Sequence, residues 1–326
     1  MYRPKVFVTR LILESGLKLI RDFCDVDIWP DDLPPSHAEI LRRVRGVDGL
    51  VSLLTDRIDA EIIQAAGAGL KVISNYAVGV DNIDVGAATA LSIPVGNTPG
   101  ILTDATADLA FALLLAAGRR VAEGDRLVKS GGWKTWGPSF MLGADFAGAT
   151  IGIVGFGRIG RAVARRASGF GMRILFCEPS KAAPEPGVSA SQVDLDSLLR
   201  ESDFISLHTP LTDSTRGLIN ERTLAQMKPT TILVNTSRGP VVDQEALYET
   251  LKEQHIFAAG LDVTVPEPLP PEHPLLTLEN CLVVPHIASA SWRTRELMSV
   301  MAAENLIAGL KGERLPKCVN PEVYEK

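Results

Sequence analysis

Gly155-Phe156-Gly157-Arg158-Ile159-Gly160 is the stretch that most narrows what this chain can become. It follows the apolar run Thr150-Ile151-Gly152-Ile153-Val154 and opens a segment with helical spacing, so the glycines stand at a strand-to-helix turn. Three spaced glycines alone are weak evidence. In this setting each glycine is needed for a different reason. Gly155 permits the tight turn, Gly157 lets backbone approach a pyrophosphate, and Gly160 lets helix lie close on strand. Free N–H groups at the helix start, those of Arg158 and Ile159 among them, would supply the anion site. Glu178, just after the next apolar run, stands where a carboxylate can accept from the adenosine ribose hydroxyls and would repel a 2′-phosphate. The expected ligand is a nicotinamide dinucleotide, NAD(H) in preference to NADP(H), although the nearby Lys181 works against that exclusion.

Around this turn the chain alternates between short runs rich in Val, Ile and Phe and longer stretches of helical period. That pattern predicts parallel sheets with helices on their faces. In the first third, strands are expected at Lys5–Thr9, Val26–Trp29, Leu50–Leu54 and Val72–Tyr76, with helices at Leu11–Asp22, Ser36–Arg45 (Ser36 as N-cap) and Asp59–Ala66. A long helix from Thr103 to near Ser130, with Leu109, Leu113 and Leu127 among alanines, is expected to be buried between domains. The second series has strands at Thr150–Val154, Arg173–Cys177, Phe204–Leu207, Thr231–Asn235, Ala259–Asp262 and Leu282–Val284. Helices are expected near 158–170, 194–201, 220–227 and 243–254, and a last helix spans Ser291–Lys311. The fold class is therefore α/β: two Rossmann-like, doubly wound parallel-sheet domains with a cleft between them. Residues 1–99 plus 291–326 would form the substrate-binding domain and 100–290 the dinucleotide-binding domain.

Composition removes other classes. With 46% hydrophobic and 22% charged residues, the chain has material for full cores. A net charge of −6, spread without a basic block, speaks against nucleic acid as a partner. The four cysteines, Cys24, Cys177, Cys281 and Cys318, lie far apart without a CxxC pair, which argues against a disulfide framework or a metal site. The apolar run from Ala110 to Ala117 is far below the roughly 20 residues that span a bilayer. Met1-Tyr2-Arg3-Pro4-Lys5 leads straight into a strand-like run instead of a signal peptide, so a cytoplasmic location is expected.

Three charged or titratable side chains come just past strands in the second series: Arg238, Glu267 and His286. Reduction of a 2-oxo acid needs this set. A guanidinium fork grips a carboxylate and polarises the adjacent carbonyl. A histidine delivers a proton near neutrality as a hydride arrives. A carboxylate beside it favours the imidazolium and fixes the tautomer.

The chain as a whole resembles the D-isomer-specific 2-hydroxyacid dehydrogenase family, and within it the glyoxylate/hydroxypyruvate reductase branch. The resemblance rests on Asn75-Tyr76-Ala77-Val78-Gly79-Val80-Asp81-Asn82-Ile83-Asp84, Asn97-Thr98-Pro99, Thr106-Ala107-Asp108-Leu109-Ala110, the glycine loop, Leu207-His208-Thr209-Pro210-Leu211-Thr212 and Pro285-His286-Ile287-Ala288-Ser289-Ala290. It implies that Arg238 binds substrate, that His286 is the acid/base and that Glu267 is its partner. The loop at Val78 and Gly79 would offer backbone N–H groups to the substrate carboxylate, with Leu54 close by. Thr106 and Asp262 would lie near the nicotinamide and Thr209-Pro210 near the adenosine, with Thr236 also among the cofactor-binding residues. A homodimer is implied. Thr264 departs from the family, which often has an aromatic there.

The resemblance also bears on substrate. Related phosphoglycerate dehydrogenases often place an Arg ahead of the Ala-Gly stretch, where this chain has neutral Asn75 and Tyr76. Phosphite dehydrogenases carry a Lys where it has Val78. A small, singly charged acid is expected, glyoxylate or hydroxypyruvate, with D-3-phosphoglycerate or D-lactate dehydrogenase activity as alternatives. The loop Gly132-Trp133-Lys134-Thr135-Trp136-Gly137-Pro138 matches the branch, in which it can reach the partner subunit's active site and a tryptophan, here Trp136, helps shape the pocket; packing of Trp133 and Trp136 at an interface is the alternative. A nucleotide-sensing protein of the C-terminal-binding corepressor type is the alternative of another class, and steady NADH oxidation by an acid would separate the two.

Overall fold

Runs of β-branched and aromatic residues pair as buried strands because their side chains fill both faces of a sheet that helices cover. The computed structural model, which describes residues 2–325, forms two units: Met1–Leu102 with Ala290–Lys326, and Thr103–Ser289. The first begins β1 (Lys5–Val8), α1 (Glu14–Phe23), β2 (Asp25–Ile28), α2 (His37–Arg43), β3 (Gly49–Ser52), α3 (Ala60–Ala66), β4 (Val72–Asn75), α4 (Val85–Ala90) and β5 (Val95–Gly96). Its five strands are parallel in the order β2-β1-β3-β4-β5. Alternate side chains enter different cores: Val6, Val8, Val51 and Val72 one, and Phe7, Leu50 and Ile73 the other. Short polar side chains cap the helices as the residue types predict, Ser36 accepting from Glu39 N–H at 3.2 Å, with Asp59 and Asp84 capping α3 and α4.

The second unit contains α5 (Thr103–Gly118), α6 (Val121–Lys129), β6 (Thr150–Val154), α7 (Arg158–Gly169), β7 (Arg173–Cys177), β8 (Ala190–Gln192), α8 (Leu195–Glu201), β9 (Phe204–Leu207), α9 (Glu221–Leu224), β10 (Ile232–Asn235), α10 (Gln244–Lys252), β11 (Ala258–Leu261) and β12 (Cys281–Val283). The last helix, α11 (Trp292–Leu310), belongs to the first unit, where Met298, Ala302, Ala303 and Leu306 join the core of β1 and β4. The seven strands of the second unit are parallel and run β12-β11-β10-β9-β6-β7-β8. The order reverses between β6 and β9, the switch point at which such sheets open a crevice beyond their strand ends. Both sheets are the doubly wound parallel type expected. No helix among the described residues is long and apolar enough to cross a membrane.

One expected element divides. The helix anticipated from Thr103 to near Ser130 is two helices, because the Gly118 carbonyl accepts from Ala144 N–H at 2.8 Å. Arg120 then takes a left-handed φ of 54° as N-cap of α6, which a continuing α-helix cannot contain. Its guanidinium reaches both carboxylate oxygens of Glu123, at 2.7 and 2.6 Å.

Candidate active site

The glycine loop joins β6 to α7 at the switch point. Gly155 has φ 89°, and a Cβ there would meet the His208 carbonyl at 2.7 Å, so both conformation and the closeness of the β9 loop demand glycine. A Cβ on Gly160 would lie 2.1 Å from the Gly155 carbonyl oxygen, which keeps α7 tight against the turn. Gly157 differs: an added Cβ would meet no protein atom within 4 Å. It caps α7 without any side-chain acceptor, so the first N–H groups of a twelve-residue helix face a space the chain itself does not fill. The polar donors and the open cradle fit a bound pyrophosphate. Phe156 stacks on Phe176 at 3.8 Å beneath the Arg161 guanidinium, packing the loop from below.

Glu178, just past β7, accepts from the Phe156 N–H at 2.6 Å through Oε2. The carboxylate is thus anchored to the glycine loop itself, with acceptor capacity left for a second donor. Gln192 of β8 donates to the carbonyls of Glu178 and Ser180, both at 2.9 Å, and accepts from Ala182 N–H. It fixes the loop that carries the carboxylate.

Past β9, β10, β11 and β12 a second cluster assembles. His286 Nδ1 lies 2.8 Å from Glu267 Oε2, and Glu267 Oε1 accepts from Thr264 N–H at 3.0 Å. Burial raises the affinity of Glu267 for a proton. The His286 hydrogen bond and charge, the Thr264 amide and the positive field of Arg238 outweigh it, so its carboxyl lies below the usual range. A Cβ on Gly239 would meet the Thr264 carbonyl oxygen at 2.0 Å, and this close approach draws the Arg238 loop onto the Thr264–Glu267 loop. Asn235 Nδ2 donates to the Arg238 carbonyl at 2.9 Å, and Arg238 Nη1 donates to the Ser237 carbonyl at 2.8 Å.

His286 occupies the left-handed region at φ 52°, uncommon for a residue with a Cβ. Three bonds to one residue over-determine it: His286 N–H donates to the Asp262 carbonyl at 3.0 Å, Ile287 N–H to Asp262 Oδ1 at 2.6 Å and Ala288 N–H to Oδ2 at 3.0 Å. Burial pushes the Asp262 carboxyl up in spite of these donors. The result is a cation fork, an imidazole and a buffered carboxylate beside an anion cradle on one sheet edge, which suits transfer of a hydride and a proton to a carboxylate-bearing carbonyl compound.

Residues 111–288 match the family model for the D-isomer specific 2-hydroxyacid dehydrogenase NAD binding domain. A glyoxylate reductase of Korarchaeum cryptofilum is 56% identical over 325 residues, covering 99% of this chain and 98% of its own. Among solved structures, a Thermus thermophilus protein superposes with TM-score 0.91 at 48% identity, over 97% of this chain and 99% of that one. An NADPH-dependent glyoxylate/hydroxypyruvate reductase of Sinorhizobium meliloti, in complex with NADP and malonate, superposes with TM-score 0.83 at 30% identity, over 98% of each chain. The chain belongs to the D-isomer specific 2-hydroxyacid dehydrogenase family. Its second unit is accordingly an NAD(P)-binding domain.

Within this family member the structure joins Glu267, His286 and Asp262 by direct bonds and brings the charge of Arg238 to bear on Glu267. Thr106 is buried in α5, and Thr209 and Thr236 are buried at the strand ends, with Pro210 exposed beside them. Trp136 is 77% exposed on the irregular segment after α6. Leu54, Val78 and Gly79 are half-buried in the first unit. Thr264, where the family often has an aromatic, donates its hydroxyl to the Pro266 carbonyl at 2.8 Å.

Sequence reasoning assigned no role to His208. Its ring bridges Ser206 Oγ at 2.8 Å and Thr236 Oγ1 at 3.4 Å, and burial holds it neutral, its pKa pushed down to about 3. It ties the β9 and β10 loops together next to Gly155. The signal was available, since His208 follows its strand just as Arg238 and His286 follow theirs.

Proposed function

We propose that this dehydrogenase reduces glyoxylate to glycolate and hydroxypyruvate to the D-2-hydroxy acid glycerate, with NAD(H) preferred over NADP(H). The observation that carries the reading is the 2.8 Å Glu267–His286 pair, with the charge of Arg238 acting on it. The name of the Korarchaeum relative supports the substrate.

When bound in the second unit, a reduced nicotinamide would supply the hydride. Arg238 binds the acid's carboxylate and polarises its keto oxygen, and backbone N–H groups at Val78 and Gly79, with Leu54 nearby, complete the carboxylate's recognition. Glu267 holds Nδ1 of His286, leaving Nε2 to deliver the proton that neutralises the developing alkoxide. Hydride and proton together convert the keto group to the hydroxyl, and Glu267 remains anionic throughout. On the cofactor side the reading assigns Thr106 and Asp262 to the nicotinamide end, Thr209, Pro210 and Thr236 to the strand ends along the dinucleotide, and Glu178 to the adenosine ribose. Glu178, locked to Phe156 N–H, places an anion where a 2′-phosphate would need a cation, which supports NAD(H).

The segment Val121 to Leu142 exposes Val121, Val128, Trp133, Trp136, Phe140 and Leu142. We assign this apolar stretch to a homodimer contact that brings Trp136 to the partner's pocket. Turnover of a 2-oxo acid panel with NADH and with NADPH tests the functional reading. Highest kcat/KM for glyoxylate or hydroxypyruvate with NADH supports it, and preference for 3-phosphohydroxypyruvate or for NADPH refutes the corresponding part.

A further inference from the structure

The first unit holds a chain of asparagines whose amide orientations are all determined, because a carbonyl can only accept. Asn75, fully buried at the end of β4, turns Nδ2 to the Gly79 carbonyl at 2.9 Å and to Asn82 Oδ1 at 3.0 Å, while its Oδ1 accepts from Ser52 Oγ at 3.0 Å. Asn82 then directs Nδ2 to the carbonyls of Leu53 at 2.9 Å and Asp56 at 3.0 Å. Asn97, just past β5, donates Nδ2 to the Val78 carbonyl at 2.8 Å. Asn97 is itself held: its carbonyl accepts from the fully buried Asn305 of α11 at 2.9 Å. Thr98 N–H donates to the Ala77 carbonyl at 2.9 Å.

Three consecutive carbonyls, of Ala77, Val78 and Gly79, are therefore fastened from behind. Among the described residues no protein acceptor takes the N–H of Val78 or Gly79. Across a planar trans bond a carbonyl is antiparallel to the N–H of the following residue, so the pins on the Ala77, Val78 and Gly79 carbonyls fix the directions of the Val78, Gly79 and Val80 N–H groups. Such fixed dipoles bind an anion without reorganising first.

We propose that Asn97 is a positioning residue that aims the Gly79 amide at the substrate carboxylate, beside the Val78 amide set by the Thr98 N–H, while Asn75 and Asn82 hold the next peptide, Gly79–Val80, in line. The proposal rests on the substrate role assigned above to that loop. It distinguishes the asparagines from Arg238, which contacts the acid itself: the brace governs how well the acid binds and leaves the proton and hydride steps alone.

Asn97 is the residue to vary, since it is half-buried and its side chain serves one acceptor. The test measures kcat, KM, the NADH dissociation constant and amide exchange of residues 76–82, using whichever of glyoxylate, hydroxypyruvate, pyruvate and phenylpyruvate the wild type reduces best. For Asn97→Ala the expected result is KM raised about tenfold, the effect of one lost hydrogen bond of about 1.4 kcal/mol. The changes in kcat and NADH affinity stay within about threefold, and amide exchange over residues 76–82 is faster. Asn97→Asp keeps the shape and turns an acceptor to the Val78 carbonyl; its KM should rise further, and it serves alone if the alanine variant does not fold. Unchanged KM with unchanged exchange shows that Asn97 braces nothing. Faster exchange with unchanged KM shows a braced loop that does not bind the acid, and overturns the assigned loop role along with the proposal. A best acid other than glyoxylate or hydroxypyruvate revises only the substrate reading.

Discussion

His286 combines a backbone conformation that side-chain-bearing residues avoid with a ring proposed to present one nitrogen to substrate. Asp262 fixes the first and Glu267 the second. In the proposed reduction the ring delivers a proton from Nε2. The Glu267 carboxyl lies below its usual range and stays ionised through neutrality, and it meets Nδ1 at 2.8 Å. Glu267→Gln removes the charge while keeping the shape. Reductive kcat/KM near neutral pH should therefore fall, and an unchanged value would make Glu267 a structural partner only. At Arg238, alanine should nearly abolish turnover, while lysine restores charge without the planar fork and rescues only part. A lysine variant equal to wild type would reduce Arg238 to a general positive field.

At the scale of elements, the glycine loop yields a prediction in which fold and function separate. Gly160→Ala places a methyl 2.1 Å from the Gly155 carbonyl oxygen and should cost about 1–3 kcal/mol of stability. Gly157→Ala meets no protein atom, at φ −73°, which alanine accepts; its melting temperature should hold while NADH affinity drops at least about tenfold, roughly 1.4 kcal/mol. Equal affinities for NADH in wild type and Gly157→Ala would mean that the cradle is not where the dinucleotide rests. Most strands and helices were legible because apolar runs and helical spacing are local signals. The short strands β5 and β8 were not: two and three residues carry no periodicity, and only their pairing partners define them. The break at Arg120 was hidden because its cause, the Ala144 amide, lies well along the chain. Arg238, Glu267 and His286 could be picked out because each chemical side chain follows a strand. The asparagine brace could not, since side-chain amides choose carbonyls by folded proximity.

For the whole molecule, each unit is a complete doubly wound sheet with its own cores, and the chemistry is assigned to loops at strand ends while the sheets supply rigidity. The apolar segment from Val121 to Leu142 belongs to this scale. Trp136→Ala should raise KM for hydroxypyruvate more than for glyoxylate, because the larger acid fills more of the pocket that the partner's Trp136 is assigned to line. Equal, negligible changes would make Trp136 a packing residue. The central claim is that a Glu267-buffered His286 delivers the proton in nicotinamide-dependent reduction of a small 2-oxo acid. Its most direct test is kcat/KM for NADH oxidation by glyoxylate, wild type against His286→Ala, across the pH range. Steady oxidation by the wild type, with glycolate formed mole for mole, is expected, and a loss of about 100-fold or more in the variant at every pH. A His286→Ala enzyme within a few-fold of wild type would contradict it.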